Sequence, residues 1–262
     1  MHVNHLYLLH WAHTVTAAVP AARILDYGCG AGEVVVEGRR RGLDIVGADV
    51  FYHGASSKRE VEAQRLLGTV ITEIKSGTLQ YPDETFDLVV TNQVVEHTED
   101  LDTSLAEISR VMKPGAKLVC IFPTKEVVRE GHIGIPFVHW FARGSAHRLL
   151  YALTCRAIGF GYFKQGKSIR QWTTDALDWM DTYTFYRSRH DVLQVFQRLF
   201  TVTLVEPEYA RFRAAHSLRL QQSSPLSTIF ASPPMSTLIR GILHRLMGVV
   251  LLASNRDPGT NA

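Results

Sequence analysis

The chain has 262 residues, of which 46% are hydrophobic and 20% charged, and these values are ordinary for a globular protein. This length suffices for one sizeable α/β domain with an added cap, or for two small domains. Cys29, Cys120 and Cys155 lie far apart without paired spacing. This spacing argues against a disulfide framework or a zinc site and favours a reducing, cytoplasmic setting.

No long apolar segment of the chain is free of polar residues. The first 20 residues are interrupted by His2, His5, His10 and His13, so we expect no signal peptide. The most apolar stretch, 236–254, contains Arg240, His244 and Arg245, which makes it too polar for a membrane span. The four histidines could share a helix face, but no acidic or cysteine residue accompanies them. We therefore predict no metal site.

The net charge of +3 is unevenly distributed along the chain. No acidic residue occurs within 131–174 or within 209–256, and each stretch contains six Lys or Arg residues. Such segregation favours an anionic partner, namely a phosphate-bearing substrate, an acidic membrane surface or nucleic acid. A basic face that is merely solvated is the alternative.

Strands alternate with helices over the first half of the chain. We predict helices over 4–18, 33–41, 57–67 and 103–112, and strands over 23–27, 44–50, 70–74, 86–91 and 117–122. The run Lys113-Pro114-Gly115 is expected to end the last of these helices. This alternation indicates βαβ units and an α/β fold with a doubly wound, Rossmann-like, mostly parallel seven-stranded sheet.

The pattern changes after Pro123, and this change suggests a division into three parts. Residues 1–124 would form the cofactor-binding core, and 125–187 an inserted helical and aromatic cap over the sheet's carboxyl edge. Residues 188–262 would complete the sheet and carry a second loop insertion. In that part we predict a helix over 190–200, a strand over 202–206, an irregular segment over 213–234, a helix over 238–246 and a closing strand over 249–253.

A glycine-rich turn follows the first predicted strand, in the run Asp26-Tyr27-Gly28-Cys29-Gly30-Ala31-Gly32. Glycines let a ligand approach the backbone, and the following helix offers free N–H groups. Dinucleotide sites share such turns, but two details differ here. Asp26 would repel a pyrophosphate and attract a cationic ammonium or sulfonium. In addition, Glu33 replaces the last glycine of the dinucleotide fingerprint.

Five motifs in order resemble those of the class I S-adenosylmethionine-dependent methyltransferase superfamily. They are Ile24–Glu33, Val46–Val50, Tyr81–Val90, Val94–His97 and Val111–Val119, and the resemblance covers about residues 20–124. It implies S-adenosylmethionine as cofactor. Asp26, Gly28, Cys29 and Gly30 would surround the methionine part, Asp49 would bind the ribose, and Val50, Ser76, Gly77 and Thr78 would border the adenine. Asn92 and Gln93 would face the methyl group.

Candidates for the chemistry follow the fifth strand. Methyl transfer to a hydroxyl needs a base, and His132, between Gly131 and Ile133 in a glycine-rich segment, is our candidate. We expect His139 to pack in the cap, and the Glu96-His97 pair to brace a helix. The aromatic segment 140–170 could line an apolar acceptor pocket or lie on a membrane surface.

The acceptor is left open by these residues. O-methylation of a small-molecule or glycan-type acceptor, including an anionic or lipid-linked one, is the preferred prediction. The alternatives are C-methylation of a quinone-like ring and a protein that binds the cofactor without catalysis. The chain contains no Asn-Pro-Pro-Tyr-type motif, so a nucleic-acid substrate is not expected.

Overall fold

A computed structural model of the chain describes residues 1–52, 56–164, 166–216, 242, 244–246 and 248–255. Its strands are β1 (Arg23–Tyr27), β2 (Asp44–Asp49), β3 (Ile71–Glu73), β4 (Phe86–Asn92), β5 (Met112–Phe122), β6 (Phe200–Leu204) and β7 (Val249–Asn255). Its helices are α1 (Val3–Ala18), α2 (Glu33–Arg40), α3 (Ser56–Ala63), α4 (Leu101–Val111), α5 (Ala146–Ala157), α6 (Ile169–Tyr183), α7 (Arg189–Leu199) and α8 (Glu206–His216). Short 3-10 turns lie at Val95–His97 and Val138–Trp140.

The strands form one seven-stranded sheet in the order β3-β2-β1-β4-β5-β7-β6. Neighbouring strands from β3 to β5 pair in parallel, whereas β7 is antiparallel to both β5 and β6. The mostly parallel, Rossmann-like sheet predicted from the alternation of elements is therefore confirmed. The chain order reverses between β1 and β4, and the carboxyl ends of these two strands form the edge at which open α/β sheets bind ligands.

Helices cover both faces of the sheet because its central strands are apolar on both sides. In β1, Leu25 packs with α4 and α7, whereas the adjacent Ile24 packs with α1, α2 and α8. Neither side chain is exposed to solvent. Burial of a side chain of this size contributes roughly 1.5–3 kcal/mol, so these two layers hold the sheet edge in place.

Residues 125–187 contribute no strand to the sheet in their described part. Helices α5 and α6 instead enclose a separate apolar cluster that includes Ile135, Ala152, Trp172 and Met180. The Trp172 indole N–H donates to the carbonyl of Tyr162 at 2.8 Å, which satisfies the polar edge of this buried ring. We call residues 125–187 the cap.

Several predicted boundaries are wrong. α4 ends at Val111, just before Lys113-Pro114-Gly115 as predicted, but β5 already begins at Met112, which pairs with Phe86, so this run also lies inside a strand. The predicted strand over 202–206 starts and ends earlier, and Glu206 opens α8. Pro207 is compatible with this start because the first helical turn needs no intrahelical N–H donor.

Two further predictions fall largely outside the described residues. The segment 213–234 was expected to be irregular, yet its first four residues belong to α8 and the rest is not described. Ile242 and 244–246, within the predicted helix 238–246, are helical. Among the helices that the structure describes, none has the length and apolar character needed to cross a bilayer.

Candidate active site

The glycine turn between β1 and α2 is shaped by close contact with the next parallel strand. Gly28 adopts φ +74° and its N–H donates to the carbonyl of Ala48 at 2.7 Å. A Cβ atom at this position would lie 2.2 Å from Val94 Cγ2. Only glycine combines this left-handed conformation with such a short approach, so the turn leaves its backbone open to a ligand.

Two carboxylates face each other across this turn. Asp49 accepts the N–H of Gly30 and the N–H of Phe51, both at 2.8 Å. Each oxygen of Asp49 keeps a second acceptor position, which suits a ribose hydroxyl. Asp26 is 3% exposed, and its burial, followed by the nearby Asp49 charge, raises its pKa to about 7. A cation placed beside Asp26 would stabilise the carboxylate against that burial.

A cavity of about 880 Å³ opens beside these carboxylates at the carboxyl ends of the strands. Nine of the eleven predicted cofactor residues line it, namely Asp26, Gly28, Cys29, Gly30, Asp49, Val50, Gly77, Asn92 and Gln93. Ser76 and Thr78 are not among the lining residues, although Gly77 between them is. We call this the cofactor cavity, and its volume suits a nucleoside cofactor.

Asn92 is held from outside the sheet by the first and last described helices. The Asn4 amide donates to Asn92 Oδ1 at 2.7 Å, and the Tyr209 hydroxyl donates to Asn4 Oδ1. Gln93, the next residue, has a positive φ of 58°. Non-glycine residues in this conformation are strained, and such strain is concentrated at functional sites.

The amino-terminal histidines do have an acidic neighbour in space, contrary to what the sequence suggested. His5 lines the cofactor cavity, and its Nδ1 lies 3.0 Å from Glu33 Oε2. Glu33 comes from the first turn of α2, so its separation along the chain concealed this contact.

A hydrogen-bonded chain crosses from the cap to the core beside the cofactor cavity. Glu130 Oε1 lies 2.6 Å from His132 Nδ1, and His132 Nε2 lies 3.0 Å from His97 Nε2. His97 Nδ1 in turn lies 2.6 Å from the carbonyl oxygen of Tyr183. Burial lowers the pKa of His97, which keeps its ring neutral near pH 7. His97, which we expected to brace a helix, thus lines the cofactor cavity and contacts our candidate base.

Glu130 is fully buried and orients His132. Burial raises the pKa of this carboxyl, but hydrogen bonds from His132, Ile133 and Tyr186 outweigh it and hold the pKa at about 2. The Tyr186 hydroxyl donates to Glu130 Oε1 at 2.7 Å. A carboxylate so fixed holds the imidazole of His132 in one orientation. His139 is buried against the Tyr186 ring, with the ring centres 4.8 Å apart.

A second cavity, of about 940 Å³, lies in the cap on the far side of His132. Four aromatic rings, those of Tyr162, Phe163, Trp172 and Trp179, line it together with His132, Ile133 and the charged pair Lys167 and Asp175. We call this the aromatic cavity. The pair His97–His132 lies between the two cavities, because His97 lines one and His132 lines the other.

Three residues of this site were missed by the sequence reasoning. Glu96 and Tyr186 gave no separate signal, since a single Glu or Tyr in an apolar segment has many structural uses. Glu130 could have been noticed, because an acidic residue two positions before a histidine can reach its ring. Only the fold shows that His97 and His132, which are 35 residues apart, are in contact.

Comparison with known proteins finds a methyltransferase domain in the first half of the chain. A family model described as a methyltransferase domain matches residues 25–120. A ubiquinone biosynthesis O-methyltransferase from Mesorhizobium japonicum is 33% identical over 132 residues, which cover 47% of this chain and 51% of that protein. A protein of the same name from Hahella chejuensis is 36% identical over 110 residues, or 39% and 43% of the two chains. The match thus spans about half the length of these curated relatives.

A crystal structure of an S-adenosylmethionine dependent methyltransferase from Mesorhizobium loti covers 95% of this chain and 98% of its own, with 17% identity and a TM-score of 0.48. The family-model match begins inside β1 and ends inside β5, so it contains the glycine turn, Asp49 and the Glu96-His97 pair. Together with the five ordered motifs and the strand order, this match identifies residues 25–120 as a methyltransferase domain of the class I, S-adenosylmethionine-dependent type.

Proposed function

We propose that this protein transfers the methyl group of S-adenosylmethionine to a hydroxyl oxygen of a small molecule. The observation that carries the proposal is the chain Glu130–His132–His97 between the cofactor cavity and the aromatic cavity. A hydroxyl acceptor is a poor nucleophile until its proton is removed, and His132 offers an oriented imidazole at the boundary where acceptor and methyl group would meet.

The cofactor cavity fits S-adenosylmethionine on grounds of charge and hydrogen bonding. Asp26 offers a buried negative charge to the cationic ammonium and sulfonium groups, and Asp49 offers acceptors to the ribose. Val50 and Gly77 border the adenine end, with Ser76 and Thr78 in the same loop behind them, and Asn92 and Gln93 lie toward the methyl end. Gly28, Cys29 and Gly30 provide the backbone surface on which the methionine part rests.

The aromatic cavity supports a planar or apolar scaffold for the acceptor. Trp179 and Tyr162 present partly exposed rings, and an acceptor ring can stack on them. Relatives named for ubiquinone biosynthesis O-methylation are consistent with an acceptor of this kind. A glycan-type acceptor can stack on the same rings, so phenols and sugars belong in one acceptor screen.

Two measurements test the proposal. Calorimetry should detect binding of S-adenosylmethionine to the intact chain, and a methyl-labelled cofactor should then label hydroxyl oxygens in a panel of phenols, catechols and free sugars. His132→Ala should reduce turnover at least a hundredfold while cofactor affinity stays within twofold, since general-base groups contribute on the order of 10²–10⁴ in rate. His147→Ala, an exposed histidine of the same cap, is the matched control and should behave as the unmodified chain.

Label found on a ring carbon would replace O-methylation by the C-methylation alternative. Cofactor binding without any labelled product across the panel would favour a protein that binds the cofactor without catalysis. Full turnover by the His132→Ala variant would remove His132 from the chemistry.

A further inference from the structure

Two imidazole nitrogens face each other at the boundary between cap and core. His97 Nδ1 lies 2.6 Å from the carbonyl oxygen of Tyr183, which can only accept, so Nδ1 carries the proton of the neutral ring. His132 Nδ1 lies 2.6 Å from Glu130 Oε1. Glu130 already accepts the backbone N–H of His132 and of Ile133, at 2.9 and 2.6 Å, so His132 Nδ1 also carries the proton.

The remaining nitrogens, His97 Nε2 and His132 Nε2, lie 3.0 Å apart, so a proton or another cation must lie between or beside them. Two acceptors at this distance repel unless an electropositive species lies between or beside them. A divalent ion with metal–nitrogen bonds of about 2.0–2.1 Å separates neighbouring ligands by about 2.8–3.4 Å, the shorter values for right angles at the metal and the longer ones for tetrahedral angles. The observed spacing of the two nitrogens lies in that range.

A third group beside this pair lacks a partner. Glu96 is 1% exposed, and neither of its carboxylate oxygens receives a hydrogen bond from another residue in the described part of the chain. One carboxylate oxygen of Glu96 and the ring nitrogens of His97 and His132 all lie within 4.8 Å of one another. Burial raises the pKa of Glu96 to about 8, and a cation held by the two imidazoles would replace its proton and stabilise the carboxylate.

We propose that Glu96, His97 and His132 bind a divalent transition-metal ion through one carboxylate oxygen and two Nε2 atoms. A set of two imidazoles and one carboxylate suits ions such as Zn²⁺, Co²⁺ or Mn²⁺. Both imidazoles already donate their other N–H to an oxygen acceptor, which is the usual outer-sphere arrangement around metal-bound histidines. From a separation of up to 4.8 Å, the carboxylate oxygen needs to approach by roughly 1.4–2 Å to reach neighbouring-ligand spacing.

This inference rests on the hydroxyl methylation of the proposed function and replaces His132 as the base by a metal ion that activates the hydroxyl. Three protein ligands leave at least one position open, which the acceptor hydroxyl can occupy. Coordination lowers the pKa of that hydroxyl, so its proton is lost to water. The oxygen lone pair then forms a bond to the methyl carbon as the carbon–sulfur bond breaks and its electrons return to sulfur, giving a methyl ether and S-adenosylhomocysteine. In this form His132 donates its lone pair to the ion instead of to the proton.

From the sequence we predict no metal site, and the proposal departs from that because its ligands come from two separate segments. Glu96 and His97 follow β4, whereas His132 belongs to the cap. The three ligands therefore form no metal-binding motif that can be recognised along the sequence.

The test uses the full chain, freed of metal by a chelator and titrated with Co²⁺, whose visible absorption reports nitrogen and oxygen ligation. We expect one Co²⁺ per chain, displaced by Zn²⁺. Glu96→Gln should weaken Co²⁺ binding at least tenfold and His132→Ala at least a hundredfold, with cofactor affinity retained as evidence of folding. Glu96→Gln removes no hydrogen bond from another residue, so it is the variant least expected to disturb the fold. His190→Ala, on the exposed side of α7, is the control and should bind Co²⁺ normally.

Absence of stoichiometric Co²⁺ uptake would overturn the proposal, as would equal uptake by the unmodified chain and both site variants. Because this readout needs no acceptor, it is separate from the proposed function. Metal binding without hydroxyl methylation would leave the site standing and remove the O-methylation proposal. Full turnover by the metal-free protein, unchanged by Zn²⁺ and abolished in His132→Ala, would support His132 as a base and overturn the metal site.

Discussion

At the scale of single residues, Asp26 makes cofactor affinity depend on pH. Its pKa of about 7 in the ligand-free protein reflects burial and the nearby Asp49 charge. A carboxyl whose pKa is raised in this way is partly protonated below pH 7, and a cationic cofactor binds the ionised form. Binding must therefore release a proton at low pH, and the proton competes with the cofactor.

We expect the affinity for S-adenosylmethionine to fall about tenfold between pH 8 and pH 6, since a group with a pKa of 7 is about nine-tenths protonated at pH 6. Calorimetry in buffers with different ionisation enthalpies measures both the affinity and the proton release. Asp26→Asn should bind weakly at both pH values and release no proton. An equal pH dependence in that variant would assign the effect to another group.

At the scale of elements, two glycines of the cap adopt backbone conformations that other residues rarely adopt. Gly134 adopts φ +75°, and a Cβ there would lie 2.8 Å from the Tyr162 ring, in the wall of the aromatic cavity. Gly144 has a similar φ of +67°, but a Cβ there would meet nothing within 4 Å. Alanine at either position would therefore cost about the same free energy for its left-handed backbone. Only Gly134→Ala would add a steric clash.

We expect Gly144→Ala to lower the free energy of unfolding by about 1–2 kcal/mol, the cost of a left-handed alanine. Gly134→Ala should lose a further 1–3 kcal/mol, because Tyr162 must move out of a packed position. It should also reduce acceptor turnover while leaving cofactor affinity unchanged. Thermal unfolding of both variants measures the free energy of unfolding, and calorimetry measures cofactor affinity. Equal losses of stability would show that the Tyr162 ring can move aside without cost.

The elements also show which parts of the fold could be predicted from the sequence. β1, β2 and β4 were predictable because each is a short apolar run bounded by turn residues, and the glycine turn and Asp49 follow from their ends. α8 was missed because Pro207 and a charged first turn resemble a loop signal, although proline is acceptable there. The contact between His97 and His132 could not be predicted, since it depends on how the cap lies against the core and has no local pattern.

At the scale of the whole molecule, the basic stretch 131–174 is partly paired with acidic residues that lie outside it. The stretch 131–174 has no acidic residue, yet Arg148 is 3% exposed and pairs with Asp181, and Lys167 pairs with Asp175 at 2.6 Å. Both aspartates lie just beyond the stretch, on α6. Folding thus neutralises part of the positive charge in the cap. The cap therefore gives less support to the prediction of an anionic partner than its sequence does.

Helices α1 and α8, which are distant along the chain, also cooperate at the cofactor cavity. Tyr209 of α8 donates to Asn4 of α1, and Asn4 holds Asn92 of β4. Tyr209→Phe would leave buried Asn4 Oδ1 without its donor, which costs about 1–3 kcal/mol. We expect this loss in thermal unfolding and a modest decrease in cofactor affinity. Tyr7→Phe, whose ring packs against Tyr209 but lies outside this network, is the control. Equal effects of the two substitutions would argue against the network.

The position of β7 has a consequence for synthesis on the ribosome. It is the last strand in the described part of the chain, yet it lies between β5 and β6. Until residues 249–255 leave the ribosome, the nascent chain must carry an open edge on β5, with backbone donors and acceptors free to pair with another chain. A premature stop before this strand would leave that edge permanently exposed, so truncated products should aggregate or be retained by chaperones even though the entire glycine turn has already been made.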